Sequence, residues 1–198
     1  MPYLTNTELK AWLGGGMNSD DDTLLTGLIA NAQAYIDAHC RRTFEASGDT
    51  TKYFDAETDV VEAEDGSRRQ LWLGRHELCA ITTVTNGDGE VVASNQYVTE
   101  PRNTAPYYAL TLKRSADVAW TWEDSPENAI SIAGRFAYST TAPADVKHAC
   151  TRLAAWLYKQ RDTQSDGDRV QIADGVTILP MRLPKDIADI LAPYVRLI

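Results

Sequence analysis

Apolar positions recur every three or four residues at both ends of this chain and alternate with polar ones in the middle. Near the start, Leu9, Trp12 and Leu13 form one helical face behind Thr5 and Glu8, which stand in capping-box spacing. Gly14 to Gly16 then end that helix. A longer amphipathic helix follows on Leu24, Leu25, Leu28, Ile29, Ala32, Ile36 and Cys40, with Ser19 and Asp22 spaced as its capping box. Its acidic start and its last-turn Arg41 and Arg42 both suit the helix dipole. Helical spacing resumes at Pro143 with Val146, Cys150, Leu153, Trp156 and Leu157 on one face, and stops in the polar run TQSDGDR. The tail holds a Gly-centred turn, a Pro-bounded extended piece and a short helix from Pro184 carrying Ile187, Ile190, Leu191 and Tyr194.

Between Thr50 and Tyr138 the runs TKYFD, QLWLG, AITTVT, EVVA, QYVTE, YYALTLK, VAWTW and AISIAGRFAY are short and rich in β-branched and aromatic residues. NGDGE at Asn86 to Glu90 supplies the Asn-Gly and Asp-Gly pairs of a tight hairpin. Six to eight antiparallel strands are expected. The whole is an α+β fold, a core of two long antiparallel helices plus short ones, with an antiparallel β module inserted. The expected divisions are 1–48 (N-terminal helices), 49–140 (β module), 141–166 (second long helix) and 167–198 (C-terminal arm).

Composition narrows the picture without changing it. A chain of 198 residues buries about 70% of its unfolded surface and needs no covalent staple. No apolar run has the length of a membrane span, and MPYLTNTELK does not read as a secretory leader, so the protein is expected to be cytoplasmic where it is made. The net charge of −9 argues against a protein that grips nucleic acid. Cys40, Cys79 and Cys150 are odd in number and widely spaced, which points to reduced, buried thiols.

The candidate chemistry is sparse. Asp20, Asp21 and Asp22 are consecutive, so on a helix they point about 100° apart and do not converge on one ion; capping and dipole compensation are the expected role. His39, Cys40, His148 and Cys150 could form a metal site or a Cys-His pair across two helices, but both cysteines fall on apolar faces, where a buried thiol is the commoner meaning. Gly14 to Gly16 follow a helix, so they read as a stop and not as a phosphate loop. The carboxylates of DAETDVVEAEDG read as a solvated loop, with calcium binding the rival. Trp72, Trp120 and Trp122 read as sheet core, and WTW places Trp120 and Trp122 on one face, a candidate contact with a neighbouring subunit. The apolar terminus YVRLI suggests docking on something.

The order of LTNTELKAWL, DDDTLLTGLIANAQAYIDAHCRRTF, PADVKHACTRLAAWLYKQRD and ILPMRLPKDIADILAPYVRLI resembles the head-tail connector (adaptor, or head-completion) proteins of long-tailed phages and prophages. The resemblance covers Leu4 to Phe44 and Pro143 to Ile198; the β module departs from the minimal family pattern. It implies a non-enzymatic virion protein without cofactor, made in the host cytoplasm and assembled as a ring, commonly a dodecamer, at the head-tail interface. Such a ring would sit beneath the portal and above the stopper or tail, its helices surrounding a channel through which DNA passes without sequence-specific binding. The segment Ile178 to Ile198 would reach the portal through Leu183, Ile187, Ile190, Leu191, Tyr194 and Leu197. The β module would face outward, towards a tail or capsid neighbour. The rival in the same class is a tail-completion or stopper subunit, and the rival outside it is an enzyme built on the Cys/His group. Net negative charge fits a conduit that repels its cargo.

Overall fold

Thr5 begins the first helix as the spacing predicts: its hydroxyl accepts from the Glu8 amide while the Glu8 carboxylate accepts from the Thr5 amide at 2.7 Å. The computed structural model describes residues 2–16, 18–62, 66–160, 171–173, 176–178 and 183–196. Helix α1 spans Asn6–Trp12, and Gly14, Gly15 and Gly16 all take positive φ, the left-handed conformation that stops a helix at little steric cost.

Helix α2, Asp22–Cys40, does not start as the Ser19 and Asp22 spacing suggests. Ser19–Asp21 form one turn of 3-10 helix, and the Asn18 side chain caps it by accepting from the Asp20 amide at 3.0 Å. Asn outcompetes Ser here because its carbonyl reaches the amide two residues on. At the other end Arg41 closes the helix in the left-handed region, φ 56°, and the Arg42 amide donates to the Asp37 carbonyl.

Helix α3, Ala144–Gln160, is the hub of the helical part: α1, α2 and the terminal helix α4, Lys185–Leu191, all pack on it. Val146, Ala149, Cys150, Leu153 and Ala154 of α3 are buried, as are Leu25, Ile29, Ala32, Ile36 and Cys40 of α2. Small residues on α3 let its neighbours approach closely.

The strands are β1 Thr50–Phe54, β2 Val60–Glu62, β3 Arg68–Trp72, β4 Leu78–Thr85, β5 Tyr97–Glu100, β6 Ala109–Leu112 and β7 Ile130–Phe136. They make two antiparallel sheets, ordered β1-β7-β4 and β2-β3-β6-β5, and a separate hairpin pairs β8 Gln171–Ala173 with β9 Val176–Ile178. Inward residues of both sheets, among them Phe54, Leu71, Leu78, Leu110, Ile130 and Ile132, share one apolar core. The fold is therefore α+β, as expected.

The chain divides into two compact units, residues 1–42 with 142–198 and residues 43–141. Three details of the β unit differ from the sequence reading. Val60 and Val61 pair with Leu71 and Gln70, so β2 lies inside what reads as a carboxylate loop. EVVA and VAWTW are not regular strands: Val91 and Trp122 each make a single bridge, to Thr85 and Gly87. At VAWTW the cause is a side-chain clip. Buried Asn86 donates from Nδ2 to the Ala119 carbonyl and the Thr121 hydroxyl, both at 3.0 Å, and accepts from the Thr121 amide at 3.2 Å. Backbone that would have paired as a ladder is held by this amide instead.

Candidate interaction surfaces

The groups that looked capable of chemistry are placed for structure. Burial pushes the Cys40 thiol up to about 11 and the Cys150 thiol up to about 12, with nearby Asp37 adding to both. Arg42 opposes the shift at Cys40 more strongly than Asp37 adds to it. Thiols held that high stay protonated at neutral pH and are poor nucleophiles. His39 and His148 are exposed, and the His148 ring stacks edge-on against Trp12, centroids 5.5 Å apart. Among the described residues no three His, Cys, Asp or Glu side chains are grouped to hold a metal ion. In the acidic loop, Asp55 Oδ1 accepts from the Asn128 amide at 2.7 Å and Asp59 Oδ2 accepts from the Asp55 amide at 2.8 Å, so these carboxylates are engaged by backbone.

The three aspartates part company. Asp20 and Asp21 lie in the 3-10 turn, whereas Asp22 opens α2 and forms an ion pair with Lys10 at 2.7 Å. Lys10 also donates to the Asn18 carbonyl, tying the end of α1 to the start of α2.

Of the six apolar tail residues, Ile187 and Leu191 are buried inside the helical unit. Helix α4 is further fastened by the Arg152 to Asp186 ion pair at 2.6 Å and by the Tyr194 hydroxyl on Asp145 at 2.7 Å. The Arg196 amide donates to the Cys40 carbonyl, so the apolar terminus docks on its own chain as far as that residue. Leu183, Ile190 and Tyr194 remain partly accessible, and Leu197 lies outside the described residues. Trp120 and Trp122 are also separated: Trp120 is buried with its indole N–H on the Arg69 carbonyl at 2.9 Å, while Trp122 is exposed.

Sequence reading did not separate the faces of α2. At about 100° per residue, its core stripe is flanked on one side by Leu24, Leu28, Asn31, Tyr35 and Ala38. Leu24 is 39% and Tyr35 49% exposed. On the opposite flank an open groove of about 740 Å³ runs between α2 and the segment before α1, lined by Pro2, Leu4, Thr26, Ile29, Ala30 and Ala34, with Asp37 at one end. The signal was present in the sequence, because both flanks together leave α2 almost without charge between Asp22 and Asp37. No helix among the described residues is long and apolar enough to cross a membrane.

Neither protein-family descriptions nor curated proteins contain a match to this chain. Solved structures do. A chain of the neck of an empty GTA particle, computed with C6 symmetry, aligns over 100% of this chain and 91% of its own, with TM-score 0.57 and 15% identity. A chain of the virion of a native gene transfer agent (GTA) particle aligns over the same shares with TM-score 0.56 and 14% identity. A chain of the native GTA neck computed with C12 symmetry covers 97% of this chain and 89% of its own, at TM-score 0.54 and 13% identity. The likeness spans both the helical and the β unit, and at these identities it establishes a shared fold.

Proposed function

We propose that this chain is a structural protein of a phage-like particle's neck, a connector subunit that forms a ring beneath the portal and extends the DNA channel. The observation that carries the reading is the end-to-end fold match to chains of GTA necks, inserted β unit included. The order of helical motifs in the sequence supports it independently. The role is mechanical: identical subunits close a ring through head-to-tail contacts and offer a docking surface to the stopper or tail.

Portal contact falls to the tail residues that remain accessible, Leu183, Ile190 and Tyr194, with Leu197 beyond the described segment. Ile187 and Leu191 would join them only by leaving their own core, at a cost of roughly 2 to 5 kcal/mol for each side chain. Asp22 holds the start of the ring-forming helix through Lys10, with Asp20 and Asp21 in the turn before it, and Trp122 offers an aromatic contact from the β unit to a neighbour. Particles made without the protein test the reading. Filled heads with portals and separate, complete tails are expected; finished particles, or defective tails with normal necks, would contradict it.

A further inference from the structure

Helix α2 carries an uncharged ridge, apolar apart from Asn31, on one flank and an open groove on the other. The ridge residues Leu24, Leu28, Asn31, Tyr35 and Ala38 are spaced four, three, four and three apart, the 3.5-residue period with which one helix presents a seam to another. A solvated helix face is ordinarily charged, yet this one carries no charged side chain. Ala30 and Ala34 line the groove, with the polar Asn6, Thr26 and Gln33 beside them.

We propose that the ridge of α2 in one copy packs into the α2 groove of the next, so that the helical units join head to tail. The inference rests on the neck reading above and adds the surface by which copies meet. Ridge and groove lie about 150° apart around one helix, taking the residues of each at about 100° per residue, so the contact is heterologous and propagates; a two-fold dimer would leave one of each unused. Ridge-into-groove packing wants large side chains facing small ones, which Leu24 and Tyr35 against Ala30 and Ala34 provide.

Charge selects a second copy as the occupant. Residues 43–141 hold 16 Asp and Glu against 8 Lys and Arg, a balance of −8, while the rest of the chain holds 12 against 11, a balance of −1. Copies therefore repel through their β units and approach most freely through their helical units.

Cysteine pairing tests this against a quiet background, because all three native thiols are buried. Tyr35→Cys and Ala34→Cys chains are oxidised singly and mixed, both as concentrated protein and in particles. Disulfide-linked dimers are expected only in the mixture, with loss of the link when Leu24→Glu is added to the Tyr35→Cys chain. Equal linking within either single variant would show a two-fold contact and overturn the proposal, as would no linking in particles whose necks contain the chain. Particles whose necks lack the chain would instead overturn the neck reading on which it rests.

Discussion

At the scale of single residues, the half-buried Asp37 carboxylate of the helical unit accepts from the buried Tyr3 hydroxyl while its burial works against its charge. Burial raises Asp37 above the ordinary carboxylate value, and the Tyr3 hydroxyl, which donates to it at 2.6 Å, opposes that shift only in part. A carboxyl whose folded value is raised holds its proton more tightly folded than unfolded. Its contribution is thus full below the unfolded value and is lost as pH rises through the folded one. Asp37→Asn keeps an acceptor for Tyr3 and removes the buried charge, so chemical denaturation at pH 7 should show stability equal to or above wild type. A loss of more than about 1 kcal/mol, the size of a typical net hydrogen bond, would show that the carboxylate is structural. Gly87 is constrained more tightly: a Cβ there would lie 2.3 Å from the Thr121 carbonyl oxygen and 2.9 Å from Ala129 Cβ. Neither neighbour is the loose end of a side chain. Gly87→Ala should cost about 1 to 3 kcal/mol, read by denaturant melts, while Gly89→Ala meets no atom and pays only for its positive φ.

At the scale of elements, local chemistry was legible and competition between neighbours was not. The Thr5 and Glu8 box, the triple-glycine stop, the Asn86 to Glu90 turn and the helix after Pro143 were all readable because each is specified within a few residues. Asn18 and Ser19 both suit a cap, and only the 3-10 turn decides between them. VAWTW has the composition of a strand, but Asn86, more than thirty residues away, takes its hydrogen bonds. Apolar spacing in the tail correctly gave a short helix, yet it cannot distinguish a face that meets another protein from one that meets α3. Helix α4 is a member of the core by its burial, so Ile187→Ala should destabilise by roughly 2 to 5 kcal/mol, measured on the protein alone. Unchanged stability would mean that α4 does not pack there in solution.

At the scale of the whole molecule, the negative charge is divided unevenly between the two units. A balance of −9 suggested helices that repel a passing duplex, but the helical unit is almost neutral and the β unit carries nearly all of it. The negative field of the molecule therefore comes almost wholly from the β unit. The apolar pattern gave the fold class and the order of elements, since both follow from periodicity. The flanks of α2 were not separated because Leu24 and Leu28 share the apolar spacing of the core stripe, and only exposure sets them apart from it. The central claim, a ring of this chain in a neck, is tested most directly by electron cryomicroscopy of the assembled particle. The account predicts a closed ring of copies between portal and tail, with neighbouring α2 helices in contact. Density for the chain elsewhere in the particle, or its absence from the particle, would contradict it.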